Sequence, residues 1–309
     1  WKWDGLRAQL VKRGDVWLWS RRDELITDSY PEIVKRAREL PDGTVLDGEV
    51  VAYDDGPLPF GALQERMGRE DPSRKVQRTN PVVFKPFDVL ECEGVDMRGE
   101  PLERRRSVLE ELVADVFAPS RAVTVQSWDE AASLREDSRD RGFEGFVLKR
   151  LDAEYVDGRQ RGYWWKWKVD PLELDTILLY AQMGHGKRGN IFSDYTLGVW
   201  NGDELVPVAK AYSGLTDEEL EEMDAWIRSH TEEKYGPVRS VPPEHVFELQ
   251  FDGIVASDRK AGASLRFPRI NRWRRDLSPD DADSLDRVHD LLRRYGNAGE
   301  RDSRLDDFM

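Results

Sequence analysis

Polar and apolar residues alternate along residues 1–19, in WKWDGLRAQLV and again in VWLW, with Arg13-Gly14-Asp15 between them. Period-two alternation broken by a glycine turn predicts a β-hairpin. The apolar spacing then lengthens to that of a helix over Tyr30–Leu40, which Pro41-Asp42-Gly43 stops. TVLDGEVVAY and VVFKPFDVL read as strands, and LERRRSVLEELVAD as a helix. Ser127 and Glu130 have the spacing of a capping box, in which a serine oxygen and a glutamate satisfy free amide donors, so 128–141 is predicted helical. FEGFVLKR and YWWKWK are again strands. Strands mixed with a few helices, without regular βαβ alternation, predict an α+β domain of antiparallel sheets.

After Val169-Asp170-Pro171 the texture changes. LDTILLYAQM, YTLGVWN, LVPVAKAY, HVFELQF and GIVASD read as five strands, with one helix capped by Thr216 and Glu219 among them. Five strands and a helix predict a small OB-type β-barrel, a common nucleic-acid platform. The expected division is therefore 1–170, 171–276 and an acidic helix and tail, 277–309. In that last segment SPDDADSLDRVHDLLRRYG reads as a capped helix with Pro279 in its first turn.

Composition narrows the possibilities. A chain of 309 residues, 39% apolar with 11 Trp and 11 Phe, can fill real cores. No apolar run approaches the roughly 18–20 residues that cross a bilayer, and no signal peptide opens the chain, so no membrane partner and a cytoplasmic location are expected. A single cysteine, Cys92, excludes an intrachain disulfide framework, and four scattered histidines lack zinc spacing. Any metal is then a hard ion held by oxygen. The net charge of −14 argues against a uniformly basic nucleic-acid binder. Basic runs at Arg104–Arg106, Arg159–Arg161, Lys187-Arg188 and Arg272–Arg275 line a cleft in one reading and are solvated faces in the other.

The candidate chemistry begins at Lys2, set between Trp1 and Trp3 and followed by Asp4-Gly5 and Arg7. A lysine amine attacks a phosphoryl centre only when deprotonated, which a crowded, partly desolvated setting favours. Strand alternation puts Asp47 and Glu49 on one face, and likewise Lys166 and Lys168, as a clamp on phosphates requires. Gly184-His-Gly186-Lys-Arg-Gly189 fits a dinucleotide fingerprint letter for letter, yet it lies between two strands and opens no helix. It reads as a basic hairpin loop, whose Lys187 and Arg188 either contact DNA phosphates or are simply solvated.

Together these segments resemble the ordered motifs of the covalent nucleotidyltransferases, which comprise DNA ligases, RNA ligases and mRNA-capping enzymes. Lys2 to Arg7 resembles the K-x-D-G-x-R nucleotidyl-lysine motif. Ser20-Arg-Arg22 with Thr27–Pro31 resembles the second element, which implies that Arg21 lies near the nucleotide and the DNA end. Asp47-Gly-Glu49 resembles the third, whose glutamate accepts bonds from ribose hydroxyls. In the next, Phe84–Asp88, the resemblance puts Phe87 against adenine. Glu144–Lys149 resembles the fourth motif, with Glu144 as metal ligand and Lys149 in the nucleotide site, and Trp165–Lys168 the fifth. Arg266-Phe-Pro-Arg269, Arg272, Arg274 and Asp276 resemble the C-terminal element of ATP-dependent DNA ligases, which approaches the ATP pyrophosphate during lysine adenylylation. The family usually has lysine where Leu277 stands.

What the resemblance implies is an ATP-dependent DNA ligase core of the bacterial kind: an adenylation (nucleotidyltransferase, ATP-grasp-like) domain and an OB-fold domain, using ATP and Mg²⁺ or Mn²⁺ to seal nicked duplex DNA through lysyl-AMP at Lys2. A monomer is expected, as is an upstream DNA-encircling domain missing from this chain. An RNA ligase, a capping-type enzyme and a non-catalytic DNA-end-binding fragment are the alternatives.

Overall fold

The computed structural model describes residues 1–158 and 160–296, apart from the side chain of Lys187. Arg159 and the tail from 297 onwards, both named in the sequence reading, lie outside the described residues. The chain forms two units that meet in sequence at Val169 and Asp170.

The first unit is built on an antiparallel sheet of order β2-β1-β3-β4-β5. Its strands are β1 (Leu6–Arg13), β2 (Asp15–Ser20), β3 (Thr44–Ala52), β4 (Val82–Cys92) and β5 (Val95–Asp96). Alternation sends Ala8, Leu10, Val16, Leu18, Leu46, Val50 and Phe84 to one face, where they are buried with Ile33 and Ala37 of α1 (Pro31–Ala37). Two short helices follow, α2 (Phe60–Gln64) and α3 (Arg74–Thr79), then α4 (Leu102–Val113), whose Leu109 and Val113 complete the core. Each fully buried Leu or Phe in such a layer contributes about 1.5–3 kcal/mol relative to exposure. The opposite face carries Arg7 directly across from Glu49, and Gln9 across from Asp47.

The helix α5 (Trp128–Glu136) leads to a separate two-stranded sheet of β6 (Gly145–Lys149) and β7 (Trp164–Lys168). The helix stops at Glu136, short of the expected 141. Its capping box is half made: Ser127 Oγ accepts from Glu130 N–H, but the Glu130 carboxylate accepts from Gln126 N–H at 2.6 Å.

The hairpin begins later than the alternation suggested. Lys2 belongs to no strand of the large sheet; it pairs with the start of β6 instead, its N–H donating to Gly145 O at 2.8 Å and its C=O accepting from Glu144 N–H at 2.9 Å. Asp4-Gly5 then bends the chain into β1. Glycine is required at that bend because a Cβ on Gly5 would lie 2.5 Å from Val50 O.

The second unit holds more strands than the five expected. In it, β8 (Leu172–Met183), β9 (Phe192–Asn201) and β10 (Glu204–Ala211) form a meander, and α6 (Asp217–His230) follows with its Thr216–Glu219 capping box complete. Next come β11 (Glu233–Tyr235), β12 (Val238–Ser240), β13 (Val246–Phe251), β14 (Gly253–Ala256), β15 (Ala263–Arg266) and β16 (Arg269–Trp273). β13 pairs with both β8 and β16, and β14 with β15, around a core of Leu174, Leu178, Leu197, Phe247, Leu249 and Phe251. The last helix, α7 (Leu285–Tyr295), buries Val288 and Leu291 in that same core. Pro279 is not in its first turn: Pro279–Asp281 is a separate 3-10 turn capped by Ser278, because the Ser278 and Asp281 side chains close a box of their own. Among the described residues no helix is long and apolar enough to cross a membrane.

Candidate active site

The pairing of Lys2 with β6 puts its side chain against Glu144, and the two form an ion pair with both groups largely covered. Trp1 and Trp3 secure that pairing: Trp1 stacks on Phe143 and lies tilted against Phe146, and Trp3 meets Phe143 edge to face, with ring centroids 4.7–4.8 Å apart. The indoles flanking Lys2 are therefore packing, and the lysine between them is directed to the other side. Gly145 has φ +119° and its Cβ would meet Trp167 O at 2.3 Å, so the residue after Glu144 has to be glycine.

Register across β6 and β7 sets Lys168 opposite Gly145, Lys166 opposite Val147 and Trp164 opposite Lys149. Alternation then puts Lys149, Lys166 and Lys168 on one face. Lys168 Nζ lies 3.4 Å from Glu144 Oε1, so one carboxylate bridges two ammonium groups. Lys166 is exposed, and its pKa is lowered by burial of its stem and by the charges of Lys2, Arg21 and Lys168. Arg21 itself is exposed in the turn after β2.

A second cluster lies on the outer face of the large sheet. Asp47 has no exposed surface and accepts from Arg7 twice, Nε to Oδ1 at 3.0 Å and Nη2 to Oδ2 at 2.6 Å. Burial alone would lower the Arg7 pKa, and the Asp47 carboxylate more than offsets it. Glu49 is surrounded by protein while part of its surface still meets solvent, as at the bottom of a cleft. Burial pushes its carboxyl up to about 8, against the opposing pull of Lys2. At neutral pH it therefore offers a ligand a donor as well as an acceptor.

Phe87 and Trp164 meet edge to face at 6.2 Å. Lys149 Nζ sits over both rings, 4.4 and 3.9 Å from their centroids, and the Arg7 guanidinium is 5.8 Å from each. Burial lowers the Lys149 ammonium to about 8, with Asp88 and Asp47 opposing the shift. Phe87 is thus an outward aromatic flanked by cations, and its neighbour Asp88 turns inward.

Sequence reasoning missed what supports this cluster. In the Arg104–Arg106 run, Arg105 is neither cleft lining nor solvated: it has no exposed surface and pairs in bidentate fashion with Asp88, at 2.7 and 3.1 Å. Tyr155, from the loop between β6 and β7, donates to Asp47 Oδ2 at 2.9 Å. A lone tyrosine in a polar loop carries no periodic signal, so nothing in the sequence singled it out.

In the second unit the C-terminal arginines are held by acids. Arg269 pairs with Asp252 at 2.9 Å, and Arg272 donates twice to Glu248. Arg274 donates to both oxygens of Asp175 at 2.9 Å and also to Asp276. Its neighbour Arg275 pairs with Glu222, so the Arg272–Arg275 run is an ion-pair ladder. The guanidinium of Arg266 lies 5.8 Å from the ring of Phe267. Leu277 packs with Ile177, Leu179 and Val246, which explains an apolar residue at this position. Within 184–189, Gly186–Arg188 forms a 3-10 turn between β8 and β9, where Arg188 donates to Tyr212 O at 3.5 Å; the Lys187 side chain is not among the described parts of the structure.

Comparison with known proteins follows the same division. Residues 1–168 match the family model "ATP dependent DNA ligase domain", and residues 188–277 match "ATP dependent DNA ligase C terminal region". The chain is 37% identical over 320 residues to a probable DNA ligase of Koribacter versatilis, covering 94% of this chain and 56% of that protein. It is 36% identical to a DNA ligase of Natronomonas pharaonis, covering 94% and 54%. The chain thus spans about half the length of these relatives. A solved structure of a Lig E DNA ligase is similar in fold, with TM-score 0.63 and 20% identity over 88% of this chain and 90% of that one. By its sequence motifs and the family model that matches residues 1–168, over half of its length, the chain belongs to the ATP-dependent DNA ligase family.

Proposed function

We propose that the chain is the catalytic core of an enzyme that seals nicks in duplex DNA, with residues 1–170 as its adenylation domain, 171–276 as its OB-fold domain and 277–309 as an acidic helix and tail. The observation that carries this reading is the grouping of Lys2, Glu144, Lys166 and Lys168, three amines and one carboxylate at the meeting of Lys2 with β6 and β7. Phosphoryl transfer needs positioning and charge stabilisation more than covalent help, and this grouping supplies both.

In the proposed reaction the Lys2 amine, once deprotonated, attacks the α-phosphorus of ATP. An N–P bond forms, the bond to pyrophosphate breaks, and lysyl-AMP remains. Lys166 and Lys168 stabilise the charge moving onto pyrophosphate, Arg266, Arg269, Arg272 and Arg274 of the C-terminal element add positive charge to it, and Asp276 orients Arg274 through the pair they form. Phe87 and Lys149 receive the base, Glu49 the ribose, and Arg7 and Arg21 lie along the nucleotide. AMP then passes to the 5′-phosphate of the nick, and the 3′-hydroxyl displaces it. Lys187 and Arg188 contact DNA phosphates.

Glu144 fits a magnesium ion of the kind that takes one or two carboxylates and completes its shell with substrate phosphates and water. Among the described residues there is no cluster of three or more His, Cys, Asp or Glu to form an all-protein cage, so a shared site is the form the donor set permits. Such an ion supplies neutralisation of phosphate charge.

The test is incubation with α-labelled ATP and Mg²⁺ followed by nicked DNA. Label should appear on the chain and then leave it as the nick closes; sealing of nicked RNA in preference to nicked DNA would contradict the reading.

A further inference from the structure

Arg7 is held by more than its carboxylate. Its Nη2 donates to the hydroxyl of Tyr155 at 3.1 Å, and that hydroxyl donates onward to Asp47 Oδ2 at 2.9 Å, closing a three-membered ring of hydrogen bonds. The hydroxyl is itself placed by tethers that lie outside the ring. Tyr155 N–H donates to Arg98 O at 2.8 Å, and Ala153 O accepts from Leu102 N–H at 2.9 Å and from Arg105 Nη1 at 3.0 Å. Arg105 is the buried partner of Asp88, next to Phe87 in β4. One chain of polar contacts therefore runs from the strand bearing Phe87, through the β6–β7 loop, to the strands bearing Asp47 and Arg7.

A guanidinium gripped only along its Nε–Nη2 edge still rocks about that edge. A second partner on Nη2 fixes its plane, and Nη1 carries no hydrogen bond among the described residues, so its two uncommitted N–H groups are aimed rather than averaged. We propose that Tyr155 is a positioning residue for nucleotide binding, which fixes the Arg7 guanidinium through its hydroxyl so that Nη1 meets the ligand preformed. This rests on the ligase reading only in naming ATP as the ligand. Burial, then the Asp47 charge, raises the Tyr155 pKa, so the hydroxyl stays protonated and keeps both bonds across the working pH range.

Tyr155→Phe in the full chain removes the hydroxyl and keeps the ring. Its dissociation constant for ATP and its KM for self-adenylylation should rise about fivefold to tenfold, the scale of one ordinary hydrogen bond, with kcat within about twofold. Unchanged binding, or a fall in kcat alone, overturns the proposal. If the variant melts well below wild type, the cycle with Arg7→Lys decides. Non-additive losses in ATP affinity support a role through Arg7, and additive losses overturn it. A wild-type chain that binds ATP but acquires no label would sink the ligase reading and leave the affinity comparison to judge Tyr155. A wild type that binds no ATP overturns both.

Discussion

Glu144 meets Lys2 twice: its carboxylate pairs with the ammonium, and its backbone N–H donates to the Lys2 carbonyl at 2.9 Å. Side chain and main chain thus fix the lysine together. Lys2→Arg keeps a cation for Glu144 and all the backbone bonds, but a guanidinium is never deprotonated in practice. The variant should melt within about 2 °C of wild type, since no buried group is removed, yet form no protein–AMP adduct with labelled ATP. Any retained label would assign the nucleophile elsewhere.

Glu49 offers a pH test with a definite sign. Its carboxyl moves from 4.5 to about 8 on folding because burial disfavours the charge. The folded chain therefore binds a proton that the unfolded chain has already lost between those values. Stability from this group is present below pH 4.5 and is lost as pH rises towards 8. Glu49→Gln never ionises, so it should melt above wild type near pH 9, with the gap closing as pH approaches 5. A gap independent of pH, read by thermal melts across that range, would mean the carboxyl is not charged reluctantly.

Much of this was legible in the sequence where a side chain repeats with the period of its strand. Asp47 with Glu49 and Lys166 with Lys168 share faces because each pair is two residues apart on one strand, and the structure has them so. What escaped was contact between elements distant in the chain. Lys2 alternates with its neighbours like a strand residue, yet it pairs with Glu144 and Gly145 rather than with β3, a choice made by the tertiary ring contacts of Trp1 and Trp3 with Phe143. Arg105 looks like its two neighbours in sequence, and only the position of Asp88 on β4 decides that it turns inward. In the second unit, β11, β12, β15 and β16 run to five residues or fewer, too short for alternation to distinguish them from loops.

The arginines of the C-terminal element should separate by what they hold. Arg274 is mostly covered and bridges Asp175, Asp276 and Glu248, whereas Arg269 makes a more exposed pair with Asp252. Arg274→Ala leaves Asp175 and Glu248 without their shared cation and should lower the melting temperature by several degrees. Arg269→Ala should leave melting nearly unchanged while weakening self-adenylylation. Equal thermal effects would show that the ladder does not distinguish them.

The Arg105–Asp88 pair makes the sharpest stability prediction, because neither side chain has exposed surface. Arg105→Met removes the cation and strands the Asp88 carboxylate in the interior, where an unpaired charge costs about 3–5 kcal/mol. It also removes the donor that Nη1 gives to Ala153 O. Asp88→Leu added to Arg105→Met takes away the stranded charge, and well-packed apolar replacements for a buried pair are often close to neutral. The double variant should therefore recover most of the lost stability in urea melts, though not all, since the Ala153 and Glu100 carbonyls each still lack the donor that Arg105 Nη1 supplied. ATP affinity should not recover with it, because the loop that carries Tyr155 has lost its anchor to β4. A double variant that regains both stability and affinity would show the pair to be packing alone; one that regains only stability ties the buried arginine to the nucleotide pocket.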